Sequence, residues 1–391
     1  MKTSDTSKFN ILYLDSGSGI GGGQRSLLLL LSLLNKDRFT PFVGCLGDSP
    51  FAAEVVKTEA SIVPLSLPAA HNKTDKVKRF TLRDLLDDLR QLQVVLQLHR
   101  AVKRHAIDLI HANSLSVALL GGIVARLNRI PILMHKRYAT SYGILDRFCE
   151  RLLHRVILVS EATRWDFAPV AKQTLIYNGV DLDAFQASPK EVETLRIELV
   201  GDSPDLPILV GVVTRITPEK GIHFLIRAMA ELKEKTPVKL LIVGGPYFQK
   251  DIDYMEALKQ EVVNLGVEDS VIFTGFLSDT RVVTSLLDIV LVPSIIPEAC
   301  PRTIIEAMAV GKPVIATPLG GSKELATPET GILVPPEDAS AIADAVATLT
   351  TDRERLQAMG EAAHTRAAQL FSSEKNIALT EEVYTELLIG T

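Results

Sequence analysis

Two carboxylates stand eight positions apart in the second half of the chain, at Glu298 and Glu306. The apolar run at residues 288–292 predicts a buried strand that Pro293 ends, so Glu298 falls in the following loop. Residues 303–310 predict a helix, which places Glu306 on its first turns. The amides of such a helix N-terminus suit phosphate, and a carboxylate on either side accepts hydrogen bonds from hydroxyls. The pattern predicts a ligand with hydroxyls on both flanks of a diphosphate, as in a sugar nucleotide.

Two cations, Arg215 and Lys220, stand on the loop that follows another apolar run, at residues 208–213. Their spacing lets both side chains converge on one anion. Fixed cations stabilise the negative charge that develops on a diphosphate leaving group. The chain has no cluster of His, Cys and Asp at metal-ligand spacing, so the residues themselves indicate no metal site.

The segment at residues 293–317 resembles the Glu-x7-Glu motif of the family 4 retaining glycosyltransferases. The resemblance continues in the family's order through residues 178–181, 213–221, 319–325 and 330–336. It implies the GT-B fold, an α/β architecture of two doubly wound Rossmann-like domains facing a central cleft. The ligand is then expected between the domains, at the carboxyl ends of the strands.

The resemblance also implies a role for each matching residue. Glu298 is expected to contact donor-sugar hydroxyls and to be catalytic, and Glu306 to contact the nucleotide ribose. Arg215 and Lys220 are expected to bind the pyrophosphate and to act in catalysis, so that neither a metal nor a cofactor is needed. Retaining members are thought to use front-face attack, in which the leaving phosphate helps to deprotonate the acceptor. Further donor-binding positions are expected at Gly22, Gly23, Gly244, Phe276, Cys300, Pro301, Arg302 and Thr303.

The chain departs from many relatives directly after the first glutamate. They carry Glu-Gly-Phe-Gly where this chain has Glu298-Ala299-Cys300-Pro301. Pro301 has no N–H, so one backbone donor to the sugar or phosphate is missing. The departure implies a different donor contact and leaves the identity of the sugar open.

In the first half, a histidine ends each of two predicted strands. His135 matches a family position that orients the acceptor or the sugar, and it is the expected catalytic residue of this half. Some relatives carry a second histidine where Asn113 stands, which leaves a paired role for His111 open, and a purely structural role for either histidine also stays open. Acceptor contacts are expected at His111, Asn113, Lys136 and Arg137.

A glycine loop follows the first predicted strand and leaves a second enzyme class open. Gly17-x-Gly19-x-x-Gly22 satisfies the dinucleotide fingerprint, so an NAD-dependent oxidoreductase is an alternative if this segment is taken alone. The acid expected to bind the ribose is poorly matched, because Asp48 lies 26 residues beyond Gly22. No Gly-x4-Gly-Lys-Ser/Thr sequence supports a P-loop NTPase. A retaining glycosidase would also use two carboxylates, but it leaves Arg215 and Lys220 without a function.

The 391 residues favour two domains over one. Strands alternate with helices in both halves, and this predicts residues 1–185 as an acceptor-binding domain and 186–370 as a donor-binding domain. The resemblance implies that residues 371–391 form a helix that returns to the first domain. Leucines at helical spacing in residues 82–96 predict a core-facing stripe.

The charge distribution and the cysteine content indicate which partners the protein binds and in which cell compartment it works. Residues 71–155 carry 16 Lys/Arg against 7 Asp/Glu in a chain of net charge −5, which suggests an anionic acceptor or contact with an anionic membrane surface. Aromatic residues are only 5% and do not interleave with these cations, so nucleic acid is not expected. Three cysteines without redox spacing, no signal-peptide pattern and no membrane-length apolar run predict a cytoplasmic protein, either free or peripheral at the inner membrane face.

Together these observations predict a retaining, metal-independent transfer of sugar from a UDP- or GDP-type donor to a hydroxyl acceptor. That acceptor belongs to a glycan, a glycolipid or an exopolysaccharide, and an anionic or lipid-linked form is left open. A degenerate member that binds nucleotide sugar as a scaffold or sensor is the alternative outside catalysis.

Overall fold

The computed structural model describes residues 8–17, 19–66, 82–202, 207–233, 236–247 and 249–390, with residues 82–90 described through their backbone only. The chain divides into two compact units. Met1–Gly179 together with Ser373–Thr391 forms the first, and Val180–Ser372 forms the second. The first division therefore falls at residue 179 rather than at 185, and the second at 372 rather than 370.

In its described part, the first unit is built on a parallel sheet with strand order β3-β2-β1-β4-β5-β6-β7. The strands are β1 (Phe9–Leu14), β2 (Phe39–Cys45), β3 (Ser61–Pro64), β4 (Leu109–Ala112), β5 (Ile132–Lys136), β6 (Arg155–Leu158) and β7 (Gln173–Leu175). The helices between them are α1 (Gly22–Leu33), α2 (Pro50–Val56), α3 (Leu82–Arg104), α4 (Leu115–Asn128) and α5 (Ile144–Leu152).

The second unit repeats this plan, with strand order β10-β9-β8-β11-β12-β13, again all parallel. Its strands are β8 (Ile208–Val213), β9 (Val238–Val243), β10 (Val271–Gly275), β11 (Ile289–Val292), β12 (Val314–Ala316) and β13 (Gly331–Leu333). Its helices are α6 (Pro189–Val200), α7 (Ile222–Leu232), α8 (Gln249–Leu265), α9 (Thr280–Leu286), α10 (Arg302–Ala309), α11 (Ser322–Leu325), α12 (Ala339–Thr351) and α13 (Arg353–Leu370).

Both sheets reverse their strand order beside their first strand, between β1 and β4 and between β8 and β11. Ligands of doubly wound folds bind outside the carboxyl ends of the strands at such switch points. The predicted α/β architecture is confirmed. Functional side chains are expected at the carboxyl ends of the strands beside the two switch points.

The last helix, α14 (Ser373–Ile389), packs in the first unit against α1. Ile377, Val383 and Tyr384 join the buried cluster that also holds Ile11 and Tyr13 of β1. Strands covered by helices on both faces are largely apolar, and the last four residues of β1 are buried in agreement with this rule. Its alternate residues Leu12 and Leu14 belong to the core on the other face of the sheet.

The predicted leucine stripe of α3 is wrong where its side chains are described. Leu92 and Leu96 are 56% and 46% exposed, whereas Val94 and Leu98 are buried. The other leucines of the stripe lie outside the described side chains. Among the described residues, no helix is both long enough and apolar enough to cross a membrane.

Candidate active site

The loop after β8 is held against the loop after β11. Pro218–Lys220 form one 3-10 turn, and Gly221 then turns the chain into α7 with φ of +67°. A Cβ at Gly221 would lie 2.1 Å from the Pro293 carbonyl oxygen, so only glycine fits this crossing. The backbone N–H of Ile295 also donates to the Glu219 carbonyl at 3.0 Å. These contacts fix the backbone that presents Lys220.

The loop after β9 lies on the same edge of the sheet. Gly244 has φ of +139°, and a Cβ there would lie 1.8 Å from the Thr214 carbonyl oxygen. Its N–H donates to the Gly275 carbonyl at 2.9 Å, and Phe276 follows with 70% of its surface exposed. The predicted donor residues Gly244 and Phe276 therefore lie at the carboxyl ends of β9 and β10, near that of β8.

Glu298 is bonded on both oxygens of its carboxylate. Lys220 Nζ lies 2.6 Å from Oε2, and the Ser294 hydroxyl donates a hydrogen bond to Oε1. The backbone of Glu298 is held as well, because its carbonyl accepts from the Gly321 N–H at 2.8 Å. The structure therefore brings together the predicted catalytic acid and the predicted phosphate-binding lysine.

The N-terminus of α10 abuts the end of β8. The Thr303 hydroxyl donates to the Val213 carbonyl at 3.0 Å, and the preceding residues Cys300 and Pro301 are buried. One turn into the helix, Glu306 accepts from Arg302 Nε at 3.1 Å and is itself 9% exposed. Amide groups at this helix end and the Arg302 guanidinium provide an anion-binding edge.

Arg215 lies on the same loop after β8. It is exposed, and its guanidinium lies 6.0 Å from the centroid of the Tyr247 ring. The convergence of Arg215 and Lys220 on one anion stays a prediction. The cavity at the cluster, which Lys220, Glu298 and Thr303 help to line, is only about 10 Å³ in volume. There is thus little free space beside the Lys220–Glu298 ion pair.

In the first unit, Asp15 at the end of β1 organises the glycine loop. Its buried carboxylate accepts from the Gly17 N–H at 2.7 Å, from Gln24 Nε2 at 2.8 Å and from Asn113 Nδ2 at 2.6 Å. The last bond joins the ends of β1 and β4 at the switch point. Asp15 and Gln24 were not predicted as site residues.

Arg137 is fixed by two amide side chains. Its Nε donates to Asn113 Oδ1 and its Nη1 to Asn178 Oδ1, each at 2.6 Å. Gly23 of the glycine loop lies alongside, since a Cβ there would be 3.3 Å from Arg137 Cδ. Gly22 takes part through its carbonyl, which accepts from the Ser26 hydroxyl at 3.0 Å. The predicted acceptor residues Asn113 and Arg137 thus lie together with the predicted donor residues Gly22 and Gly23.

The two strand-end histidines form one buried hydrogen-bonded series with a tyrosine. His111 Nδ1 lies 2.6 Å from the Tyr384 hydroxyl, and His111 Nε2 lies 2.6 Å from His135 Nδ1. Burial lowers the pKa of both imidazoles well below 6.5, and the Arg137 cation lowers it further. Both histidines are therefore neutral near pH 7.

We assign the protons in this series from donor and acceptor strength. A phenol is the better donor and an imidazole nitrogen the better acceptor, so Tyr384 donates to His111 Nδ1. His111 then carries its proton on Nε2 and donates to His135 Nδ1. His135 is left with its proton on Nε2, which makes it a neutral hydrogen-bond donor.

Lys136 points away from these histidines into an aromatic and acidic pocket. Its Nζ donates to the Tyr138 carbonyl at 3.1 Å and lies 4.4 Å and 5.4 Å from the ring centroids of Tyr138 and Trp165. Burial lowers its pKa to about 8, although nearby Asp146 acts in the opposite direction. Tyr138 in turn donates to Asp146 at 2.7 Å. Lys136 is thus a cation whose charge is unusually easy to remove.

Sequence reasoning did not identify Asp15, Asp146, Asn178 or Tyr384 as site residues. Asp15 did carry a signal, because a polar residue at the end of an apolar strand marks the carboxyl edge of a parallel sheet. Tyr384 carried none, since it lies 273 positions from its histidine partner.

Comparison with known families and proteins agrees with this geometry. The sequence model described as "Glycosyl transferases group 1" matches residues 197–366, and "Glycosyltransferase Family 4" matches residues 20–184. Together the two models cover most of both units.

Individual relatives extend the comparison. The lipopolysaccharide core biosynthesis mannosyltransferase LpcC of Rhizobium leguminosarum bv. viciae is 29% identical over 78% of this chain and 86% of its own length. A GDP-mannose-dependent alpha-(1-6)-phosphatidylinositol monomannoside mannosyltransferase of Mycobacterium tuberculosis is 32% identical, over 53% of this chain and 55% of its own length. The match to this second relative thus spans about half of that protein.

Among solved structures, Anabaena HepE in complex with UDP superposes with a TM-score of 0.83 at 26% identity. That match covers 97% of this chain and all of the Anabaena chain. The same Anabaena protein has also been solved with UDP-glucose. The chain therefore belongs to the family 4 glycosyltransferases, and its fold is GT-B.

Proposed function

We propose that this protein is a retaining, metal-independent glycosyltransferase that moves a sugar from a UDP- or GDP-type donor to a hydroxyl acceptor. The observation that carries the proposal is the cluster of Lys220, Glu298 and Ser294 at the β8/β11 switch point, beside the N-terminus of α10. This cluster brings a cation, a carboxylate and helix amides to one edge of the sheet, and these groups support the binding of a diphosphate sugar there.

Donor binding exchanges partners within this cluster. The donor phosphate takes the Lys220 ammonium, and the released Glu298 carboxylate accepts hydrogen bonds from sugar hydroxyls. Glu306 serves the nucleotide ribose in the same way, with Arg302 as its neighbour. Each carboxylate thereby changes from an ion-pair partner to a ligand contact, so binding replaces interactions of similar strength.

Positive charge for the leaving group comes from side chains in this proposal. Lys220 and Arg215 follow β8, and the exposed Arg215 is able to swing towards a bound diphosphate from its position over Tyr247. Charge develops on the phosphate oxygens as the bond to the sugar breaks, and fixed cations stabilise it. A divalent metal is then not required, and no cofactor takes part.

The retaining outcome is proposed from the family motif together with the chemistry of His135. The acceptor hydroxyl attacks from the face that the phosphate leaves, and a phosphate oxygen accepts its proton. A neutral His135 with its proton on Nε2 is suited to hold a sugar or acceptor oxygen by donating to it, but not to remove a proton. Asn113 and Arg137 supply further contacts to the acceptor, while the buried Lys136 adds positive charge that attracts an anionic one.

We also propose peripheral contact with an anionic membrane, which suits a lipid-linked acceptor. On α5 the apolar side chains of Ile144, Leu145 and Phe148 are 81%, 48% and 51% exposed. Arg147, also exposed, lies on the same helix. Exposed apolar residues next to a cation are typical of helices that lie in a membrane interface. Cys45, Cys149 and Cys300 are buried and form no disulfide bond within the described part of the chain, which agrees with a cytoplasmic location.

The alternatives have less support. A dinucleotide would bring its pyrophosphate to the glycine loop, but there the Gly17 N–H is taken by the Asp15 carboxylate, whose charge repels phosphate. A scaffold that binds nucleotide sugar without turnover would not need Glu298 to be held on both oxygens. Measured turnover separates that scaffold from an enzyme.

The deciding experiment is donor hydrolysis without acceptor, across UDP-, GDP-, ADP- and TDP-sugars, in the presence of EDTA. Release of one nucleotide with the α-configured sugar retained in a subsequent transfer product would support the proposal. Glu298→Gln removes the carboxylate and should abolish release, while Glu256→Gln removes an exposed, lysine-paired carboxylate of α8 and should not. Silence across the panel, without any nucleotide raising the melting temperature, would favour the scaffold.

A further inference from the structure

A cavity of about 620 Å³ lies in the first unit, away from all the residues considered so far. Its lining is notably one-sided in charge. The side chains that carry or can carry positive charge are Arg126, Arg129, Arg151, His154 and Lys172, and none of the lining residues is acidic.

The cavity lies at the amino ends of the strands. Pro131 directly precedes β5, and Leu153 and His154 directly precede β6. Because the sheet is parallel, this edge is opposite to the one that holds Asp15 and His135. A ligand here is therefore not the donor or acceptor of the switch point.

The cations of this cavity are only partly neutralised. Lys172 forms an ion pair with Glu150 at 2.9 Å, and the Arg126 guanidinium donates to the Arg151 carbonyl. No carboxylate in the described part of the chain pairs with the side chains of Arg126, Arg129 or Arg151. Arg126, Arg129 and Arg151 are exposed, so an anion that enters the cavity can form charge-assisted hydrogen bonds with their guanidinium groups.

His154 adds a neutral donor to this group. Its Nδ1 accepts the Ile132 backbone N–H at 3.2 Å, so its proton lies on Nε2. Burial lowers the pKa of His154, and the cations Lys172 and Arg126 lower it further. The polar side chains that line the cavity therefore present donors, whereas Leu152, Leu153 and Leu387 supply apolar surface.

We propose that this cavity is a second binding site that takes a phosphate group attached to a small apolar body. Guanidinium groups match phosphate oxygens in geometry and charge, and the volume lies within the usual range of about 300–1,000 Å³ for small-ligand sites. The phosphate comes either from a soluble phosphate ester or from the headgroup of an anionic lipid. The proposal does not depend on transferase activity.

The first test is a calorimetric titration with inorganic phosphate, carried out in a Lys220→Gln background so that the donor site contributes little. The protein should bind phosphate saturably, and Arg129→Gln/Arg151→Gln should weaken that binding at least tenfold. Arg100→Gln, an exposed arginine of α3 that does not line the cavity, is the matched control and should bind as before. Equal affinity in all three proteins, or no saturable binding at all, would overturn the proposal.

Lysine variants guard against a trivial loss of structure. Arg129→Lys/Arg151→Lys keeps both charges and should retain most of the binding, whereas a merely unfolded glutamine variant would show a lowered melting temperature. Loss of binding in both pairs with unchanged melting temperatures would point to guanidinium geometry and still support the site.

The second test separates the two sources of phosphate. Glycerol 3-phosphate is titrated as a soluble ester, and phosphatidylcholine vesicles with and without phosphatidic acid are sedimented with the protein. A tenfold loss on Arg129→Gln/Arg151→Gln in the ester titration alone assigns a soluble ligand. The same loss in phosphatidic-acid sedimentation assigns a lipid headgroup. If the double variant behaves as the parent in both assays, the site does not exist.

Discussion

The Tyr384 hydroxyl lies 2.6 Å from Nδ1 of His111, although one residue is on the last helix and the other on the fourth strand. His111 passes this contact on to His135 at the same distance. With the protons assigned as above, the Tyr384 hydroxyl sets the tautomer of His111 and, through His111, the tautomer of His135. The C-terminal helix thus takes part in the acceptor side of the proposed reaction.

Tyr384→Phe should keep the buried ring and remove the proton that fixes this series. We expect kcat to fall roughly tenfold with little change in the KM of the donor, because one positioned hydrogen bond is lost. Nitrogen NMR of the His135 ring should show a mixture of tautomers. Tyr254→Phe is the control, since Tyr254 makes a similar bond to His223 in the second unit, at 2.8 Å. An unaltered tautomer in the Tyr384 variant would contradict the assignment.

We predict that the salt bridge between Lys220 and Glu298 affects catalysis more than it affects stability. Lys220→Gln should lower kcat/KM for transfer by about a hundredfold or more, because the donor loses its phosphate contact and the leaving group loses a cation. Melting temperature should fall only modestly, because the two side chains keep 17% and 21% of their surface exposed and Glu298 retains its hydrogen bond from the Ser294 hydroxyl. Lys259→Gln breaks the exposed pair with Glu256 and should leave both quantities unchanged. A large loss of stability with normal kinetics would make the Lys220 pair structural.

Most strands of this fold could be predicted from the sequence, because buried parallel strands are continuous apolar runs. Residues 208–213 were predicted as a strand and form β8 with the same limits. Strands β3, β7 and β13 were not among the predicted strands, because segments of three or four residues carry little periodicity. The prediction that the leucine stripe of α3 faces the core was wrong for Leu92, which is exposed. Packing decides which side of a helix faces the core, and leucine spacing alone does not show it.

The contacts within the candidate site could be predicted only in part, for a different reason. Lys220 and Glu298 were identified by motif, but their direct contact depends on the crossing at Gly221 and Pro293, which no local pattern encodes. Asp15 acts through a bond across the switch point, and Asn178 through a bond to Arg137 at the end of β5. Such bonds depend on which strands become neighbours, and a sequence shows that only through the complete fold.

The lowered pKa of Lys136 predicts a pH-dependent acceptor affinity. Its pKa of about 8 means that the ammonium loses its proton as pH rises through 8, whereas in the unfolded chain it does so near 10.5. If the charge of the buried Lys136 helps to attract an anionic acceptor, the acceptor KM should rise as pH passes 8. Lys136→Arg stays charged and should remove that step, while donor KM should be flat in both proteins. An identical profile in the variant would exclude Lys136 as the titrating group.

The same lysine affects stability with the opposite sign. Between the two pKa values the unfolded chain binds more protons than the folded chain, so its contribution to the free energy of unfolding rises with pH across that window. Urea unfolding at pH 7.5 and at about pH 9.5 should show a larger pH difference in the parent than in Lys136→Met. No change in that difference would contradict a perturbed lysine.

The neutral histidine pair predicts sensitivity to acid. In the folded chain the pKa values of His111 and His135 lie well below 6.5. Just below pH 6.5 the unfolded chain therefore binds more protons than the folded chain does. Stability of the first unit should fall as pH drops below that value. His135→Gln should flatten the dependence, measured as the urea midpoint against pH, whereas His99→Gln, a histidine of α3, should not. A parent whose midpoint is constant below pH 6.5 would be inconsistent with buried neutral rings.

The close approach at Gly244 predicts a large effect from a single methyl group. Gly244→Ala places a Cβ 1.8 Å from the Thr214 carbonyl oxygen at a φ of +139°, so the loops after β8 and β9 must separate. We expect a loss of about 3 kcal/mol or more in the free energy of unfolding, together with loss of donor binding. Gly201→Ala is the control, because its φ of +89° is strained but its Cβ would meet nothing within 4 Å. That variant should lose only about 1–2 kcal/mol. Equal losses in the two variants would mean that strain rather than the clash dominates.

The placement of α14 in the first unit has a consequence for biosynthesis. The ribosome makes β1 before Val180–Ser372 and α14 after it. The second unit is continuous and is able to fold as it emerges, while the nascent first sheet still lacks the apolar cover that α14 gives to the cluster around Ile11 and Tyr13. At about 5–20 residues per second this wait lasts roughly ten to forty seconds. Newly made chains are thus most vulnerable to aggregation, and most dependent on chaperones, through their oldest segment rather than their youngest.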